Sequence, residues 1–323
     1  MLDVLIVGGG PAELNAALTL GRARYSVLLC DAGAPRNGGV HAMHNFLSRD
    51  GTDPAEIRAI GRAQLRPYDS VEVRDVSVES ARRDGDGFAI ALADGTQEYA
   101  RKILLATGLV DELPAIDGLA PRWGHSVFNC PYCSGWEVRD QPLAVIGNGP
   151  TVLQFTLHLL QWSRDLMLCT NGPASLSAPE REVLAACNVP LREEPVVRLE
   201  GPDTALEQLV FATGPVLARR AAFLFAPTRQ HSDLPLQLGC TMLDNGAVQV
   251  DDLGQTDVPG VYAAGDMARR PSMPFPGAQV VVAAAAGVVA AVGIDRELAI
   301  EHFSGGPLRE QIAAQAHATR SGA

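Results

Sequence analysis

Hydrophobic positions along the chain fall into short unbroken runs followed by helically spaced ones, and this alternation occurs twice. Asp3-Val4-Leu5-Ile6-Val7 is β-rich and stops at Gly8-Gly9-Gly10. Apolar residues then recur through Leu14, Ala17, Leu18 and Leu20 at the spacing of one helix face. A second short run, Val27-Leu28-Leu29-Cys30, stops at Asp31. The same grammar returns at Leu143-Ala144-Val145-Ile146, which ends in Gly147-Asn148-Gly149. A helical pattern follows through Val152, Leu153, Phe155, Leu157, Leu160 and Trp162, and then the run Leu166-Met167-Leu168-Cys169. Two strand–glycine–helix–strand units predict an α/β protein with two doubly wound, Rossmann-like nucleotide-binding domains.

The intervening segments indicate how the two are joined. Lys102-Ile103-Leu104-Leu105 runs into Ala106-Thr107-Gly108, and Val261-Tyr262-Ala263-Ala264 runs into Gly265-Asp266. The stretch from Val110 to Gly118, rich in Pro, Asp and Gly, reads as a crossing between domains, and a second crossing is placed within 227–238. The simplest topology inserts the second domain into the first, with residues 1–112 and 239–323 forming one and 113–238 the other. Ala212-Thr213-Gly214 is read as a hairpin turn. The longest apolar stretch, 280–294, is Ala-rich, contains Gly287 and Gly293, and is too short for a typical membrane span; it is predicted to be a buried helix.

The 323 residues leave room for two domains, and 47% hydrophobic residues suffice for sizeable cores. A formal net charge of −11, without any Lys/Arg block, argues against nucleic acid and anionic membrane as partners. The first apolar run is too short for a signal-peptide core, so a soluble, cytoplasmic protein is expected. Six cysteines are present, at 30, 130, 133, 169, 187 and 240, and only Cys130 and Cys133 are closely spaced. That spacing reads as redox or metal chemistry rather than a structural framework. A metal needs a second ligand pair, and the remaining cysteines form none, so no metal site is expected. They are read as single buried or semi-buried thiols.

The first glycine turn would set backbone N–H groups and a helix N-terminus against a pyrophosphate, with Asp31 placed for a ribose hydroxyl. The pattern G-x-G-x-x-G gives Gly8 and Gly10 but Glu13 in place of the third glycine. Downstream, Thr256-Asp257-Val258-Pro259-Gly260-Val261-Tyr262-Ala263-Ala264-Gly265-Asp266 resembles the second FAD signature of the pyridine nucleotide–disulfide oxidoreductases, and Ala106-Thr107-Gly108 resembles their short strand-end motif. The resemblance implies FAD, with Gly8, Gly10, Pro11, Asp31, His44, Gly108, Gly265, Asp266 and Gln279 as its contacts. A helix N-terminus after Asp266 would stabilise charge on a reduced flavin.

Cys130-Pro131-Tyr132-Cys133 is the predicted reaction centre, because a C-x-x-C turn lets two sulfurs close a small ring and lowers one thiol pKa. Its context, through Ser134-Gly135-Trp136-Glu137, and its place just before the second nucleotide unit resemble the low-molecular-weight thioredoxin reductases over nearly the whole chain. Nearest among these are the thioredoxin-reductase-like dithiol oxidases that close disulfides in gliotoxin, holomycin and romidepsin. The resemblance implies that Cys133 lies against the flavin, that Cys130 exchanges with substrate, and that the protein is a homodimer. Trp136 is expected beside the disulfide, and Trp162 and His158 are expected in the core.

Two departures from the family pattern bear on function. Ser134 stands where the reductases carry Asp and dithiol oxidases often carry His, so the acid–base work must fall elsewhere. His41 and His44 are the candidates, with His44 named as catalytic. In the second unit, Val152 replaces a small residue, and Thr170-Asn171-Gly172-Pro173 holds neither an acid for NAD nor the Arg residues that grip NADP. NAD(P)H is therefore expected to bind weakly, unless a distant Arg181 or Arg219 completes the site. The leading reading is oxidation of a small-molecule dithiol with O2 as acceptor. Two alternatives stand beside it: an NAD(P)H-dependent reductase of thioredoxin or of small disulfides, and a binding protein that kept the fold without FAD.

Overall fold

A computed structural model describes residues 1–273 and 277–303. The chain opens with β1 (Leu2–Val7), α1 (Pro11–Arg22) and β2 (Val27–Cys30), followed by α2 (Pro54–Leu65), β3 (Val71–Arg74), β4 (Val78–Asp84), β5 (Gly87–Leu92) and β6 (Gln97–Leu105). β1 is apolar at nearly every position because both faces are covered. Val4 and Ile6 pack with α1, and Leu5 and Val7 pack into the opposite cluster with Phe88, Ile90 and Val261. β1 pairs in parallel with β2 and β6, and β2 with β3.

After the crossing strand β7 (Leu109–Asp111) come β8 (Val127–Phe128), α3 (Pro131–Ser134), β9 (Leu143–Ile146), α4 (Pro150–Leu159), β10 (Leu166–Cys169), α5 (Ala178–Ala186) and β11 (Leu191–Arg192). A three-stranded antiparallel meander follows, β12 (Val196–Glu200), β13 (Gln208–Phe211) and β14 (Leu217–Ala218). Gln208 pairs with Ala218 and Leu209 with Leu217, so 212–214 lies in a hairpin connection. β15 (Ala221–Leu224) completes a parallel sheet of order β11-β10-β9-β15-β8. The return strand β16 (Thr228–Gln230) pairs with β7.

The final segment adds α6 (Leu234–Gln237), β17 (Val248–Gln249), β18 (Val261–Ala263), which extends the first sheet beside β6, β19 (Ala268–Arg269), and α7 (Val280–Phe303). Two compact units result. Among the described residues one comprises 1–35, 55–109, 230–273 and 277–303, and the other 36–54 and 110–229. The sequence boundaries put 36–54 with the flanking domain, whereas this segment belongs to the inserted unit: Gly39 and Val40 approach Trp123 and Gly124.

α7 forms where the apolar stretch predicts a helix, but it is not wholly buried. Ala290, Ala291 and Ile294 face the core, while Val288, Val289 and Val292 are about two-fifths exposed. None of the described helices is long and apolar enough to cross a membrane. Gly287 lets α7 lie against α1: a Cβ there would strike the Ala12 carbonyl and come within 2.8 Å of Ala12 Cα. Helix propensity favours Ala over Gly by about 1 kcal/mol, but a backbone contact cannot yield as a flexible side chain would. Gly287→Ala is therefore expected to destabilise the protein by about 1–3 kcal/mol, read as a lowered Tm; a raised Tm would show that α7 shifts freely.

Candidate active site

In a parallel sheet, ligands gather at the carboxyl ends of the strands. Register brings the predicted cofactor residues of the first unit to that end; His44, also expected to contact the cofactor, belongs to the second unit. Val7 pairs with Cys30 and Leu105, and Leu105 with Ala263. The residues just beyond these, Gly8–Gly10, Asp31, Ala106–Gly108 and Gly265–Asp266, therefore share one edge. Gly8, Gly108 and Gly265 have φ of +123°, +71° and +72°, which explains glycine at each. Pro11 occupies the first turn of α1, where its missing N–H costs nothing. Gln279 precedes α7 and its carbonyl accepts from the Ala283 N–H at 2.8 Å.

Asp31 lies over Gly9, whose added Cβ would collide with its carboxylate. It accepts from the Gly33 N–H at 2.8 Å and from Arg62 Nη2 at 2.6 Å; the same guanidinium nitrogen also reaches Asp75. Glu13 is buried, and its carboxyl folds back onto Gly8 and Gly10. In the sequence Glu13 stands in the place of the third glycine. Its inward direction was not legible, because helical spacing alone leaves the side chain's rotamer open.

In the inserted unit, Ile146 pairs with Cys169 and Leu224, and Phe128 with Phe223. Gly147, Thr170 and Cys130 thus follow strands that end at the same edge. Cys130 and Cys133 form a disulfide with Cα atoms 5.2 Å apart. Cys130 is the N-cap of α3, and the Cys133 N–H donates to its Sγ at 3.1 Å. A donor at that sulfur favours its thiolate once the bond opens. Gly135 permits the turn to rest on Trp162, since a Cβ would come within 2.8 Å of the indole.

The aromatic surroundings correct the sequence reading. Trp136 is 65% exposed with the Arg139 guanidinium 3.9 Å above its ring, and Trp162 packs on the C-x-x-C turn instead. His158 is exposed rather than core and stacks between Tyr132 and Trp162, at 5.4 and 5.3 Å. Cys187 is also exposed. Cys30, Cys169 and Cys240 are buried, and burial pushes the Cys30 and Cys169 thiols up to about 12.

His44 comes to this unit with segment 36–54. Its Nδ1 is 3.4 Å from Asp50 Oδ2 and its Nε2 is 3.5 Å from Glu137 Oε1. The Asn45 N–H donates to Asp50 at 2.8 Å, and this bond, with His44, holds Asp50 below the usual carboxylate range. Neither Asp50 nor Glu137 was singled out from sequence. Glu137 stands four residues after Cys133, beyond the end of α3. His41 stacks on His125 at 5.0 Å.

The loop after β10 is closed by its own side chains. Asn171 Oδ1 accepts from the Val196 N–H, and Asn148 Nδ2 donates to the Pro173 carbonyl, both at 2.8 Å. Arg181 does approach this loop, 3.4 Å from the Ala174 carbonyl, but its guanidinium is paired with Glu193 at 2.8 and 3.1 Å. Arg219 pairs with Asp165 at 3.4 Å, at the opposite end of β10. Among the described residues no cluster of three or more His, Cys, Asp or Glu is placed to hold a metal.

Two doubly wound units, one carrying a closed C-x-x-C pair at a strand end, define a disulfide oxidoreductase of the flavoprotein type. Residues 2–287 match the pyridine nucleotide-disulphide oxidoreductase family, and the chain belongs to it. It is 31% identical over 277 residues to the thioredoxin reductase tcpT of Claviceps purpurea, covering 82% of this chain and 86% of that one. The crystal structure of HlmI superposes with a TM-score of 0.86 at 37% identity, covering 100% of this chain and 98% of the other. An oxidoreductase from Agrobacterium tumefaciens gives 0.85 at 34%, covering 92% and 98%. The likeness to HlmI supports the expected relation to the gliotoxin-type enzymes. Thioredoxin reductase-like members of the family bind FAD, and the strand-end cluster of the first unit fits a dinucleotide in its glycines, its helix start and its two acids; Glu13 is the exception.

Proposed function

We propose that the protein oxidises a small-molecule dithiol to a disulfide through Cys130 and Cys133, with O2 as the final acceptor. The observation that carries the oxidative direction is the loop after β10, which offers no acid for NAD and whose approaching cation, Arg181, is neutralised by Glu193. A substrate thiolate attacks Cys130 Sγ, the Cys130–Cys133 bond breaks, and Cys133 leaves as a thiolate. The second substrate thiol then attacks its own mixed-disulfide sulfur, releasing the product disulfide and the Cys130 thiolate. Two protons leave the substrate, and His44, held between Asp50 and Glu137, takes the role that Ser134 cannot fill. Gly8, Gly10, Pro11, Asp31, Gly108, Gly265, Asp266 and Gln279 would hold FAD, which when bound supplies the two-electron oxidant for the cysteine pair and passes the electrons to O2 as peroxide. The exposed ring of Tyr132, inside the C-x-x-C turn, suits a compact apolar substrate.

With dithiothreitol in air as the probe, one O2 should be consumed and one hydrogen peroxide formed per dithiol oxidised. His44→Gln is expected to lower kcat by about a hundredfold or more. Absence of peroxide with any small dithiol would sink the oxidase reading, and an unchanged kcat in His44→Gln would remove His44 from it. The name thioredoxin reductase carried by relatives favours a second reading, the reduction of a thioredoxin-like protein by a nicotinamide donor.

A further inference from the structure

Glu13 places a carboxyl group where a dinucleotide's pyrophosphate is expected. It is the third residue of α1 and only 3% exposed. A Cβ added to Gly8 would collide with its Oε1, and one added to Gly10 would lie 3.2 Å from its Oε2. The carboxyl takes hydrogen bonds from the backbone N–H groups of Gly10 and of Glu13 itself. These helix-start donors are the ones that bind phosphate in such turns.

The surroundings add negative charge. Asp31 faces Glu13 from the end of β2, and Asp266 faces it from the turn after β18. β6 contributes the Ala106 carbonyl. From α2, Arg62 reaches Asp31 and is shared with Asp75. Where α7 meets this end of α1 it presents Ala283 and Gly287, both uncharged. Burial first, then the two aspartates, push the Glu13 carboxyl up to about 8, so it is neutral at pH 7.

We infer that Glu13 makes FAD uptake proton-linked: the turn accepts the pyrophosphate while the Glu13 carboxyl is protonated, and the ionised carboxylate competes for the same N–H donors and repels the incoming charge. The inference rests on FAD being this chain's cofactor and goes beyond that reading. A neutral carboxylic acid beside the pyrophosphate can donate a hydrogen bond to it, whereas the anion offers acceptors only. The bound pyrophosphate further favours protonation, so FAD binding at alkaline pH takes up a proton.

The test is equilibrium dialysis of the full-length apoprotein against FAD from pH 6 to 9. The wild-type Kd should be flat to near pH 7 and rise about tenfold between pH 7 and 9, as expected for one proton bound on complex formation. Glu13→Gln should bind with a flat profile, and Glu13→Gly should bind more tightly than wild type and also flatly. Calorimetry at pH 9 in buffers of different ionisation heat should show close to one proton taken up per FAD by wild type and none by Glu13→Gln. A companion measurement needs no cofactor. Because the folded-state pKa lies above the unfolded value of 4.5, the stabilisation from protonated Glu13 is fully present below about 4.5 and lost as pH rises toward 8. The Tm of Glu13→Gln apoprotein should therefore gain on wild type from pH 5 to 8 and hold that margin above it. A flat wild-type Kd, or a slope retained in Glu13→Gln, overturns the proton link while leaving FAD as cofactor. Failure of wild type and Glu13→Gly alike to bind FAD at every pH overturns the FAD reading and the inference together.

Discussion

Cys130→Ser is expected to lose turnover by at least about a thousandfold while gaining a long-wavelength absorption band in the FAD-loaded protein. Loss of the sulfur that the substrate thiolate attacks removes the whole exchange route rather than one contribution to it. The two cysteines are not equivalent. Cys130 caps the α3 turn and accepts the Cys133 N–H, and it is the sulfur assigned to exchange with substrate. Removing it frees Cys133 as a thiolate, and on the family's assignment that thiolate faces the flavin, where electron donation into the ring system gives a charge-transfer band. Cys133→Ser should lose both turnover and the band. Absorption spectra of the two variants check the roles independently of any assay; normal turnover in Cys130→Ser, or the band in Cys133→Ser instead, would reverse or remove the assignment.

Neither NADPH nor NADH at about millimolar concentration is expected to reduce the bound flavin at a useful rate, whereas a small dithiol should do so readily. Each charge-assisted hydrogen bond to a ribose phosphate contributes roughly 1.5–3 kcal/mol, so two missing contacts weaken binding by about a hundredfold or more. Arg181 stands close enough to the loop to supply one, but its guanidinium is taken up by Glu193, which it holds down at about 2. Asn171 is spent on the Val196 N–H. Flavin absorbance under anaerobic conditions, with each donor in turn, makes the comparison. Saturable reduction by NADPH with a KM of order micromolar would overturn the oxidase reading and promote the reductase. Glu193→Ala, which releases Arg181, should strengthen NADPH binding more than NADH binding; equal effects would show that Arg181 does not face the 2′-phosphate.

Much of this protein was legible in the chain itself. The runs 3–7, 27–30, 143–146 and 166–169 all form strands, because a strand covered on both faces must be apolar at nearly every position. The glycines after two of them mark turns by backbone geometry alone, and the C-x-x-C pair closes because three residues of separation bring the sulfurs together whatever surrounds them. These are local properties, and local spacing carries them. What tertiary structure decided is every pairing between residues distant in sequence. Segment 36–54 has no periodicity that says which unit it joins, and its place brings His44 to Glu137. Trp162 rather than Trp136 lies on the redox turn because Gly135 removes the one Cβ that would keep that indole away. Arg181 and Glu193 neutralise each other because α5 and the end of β11 meet in space. Glu13 could be seen from sequence as a missing glycine. Only the fold encloses it among Gly8, Asp31 and Asp266, and it is that enclosure, by excluding water, that turns an ordinary acid into one that keeps its proton at neutral pH.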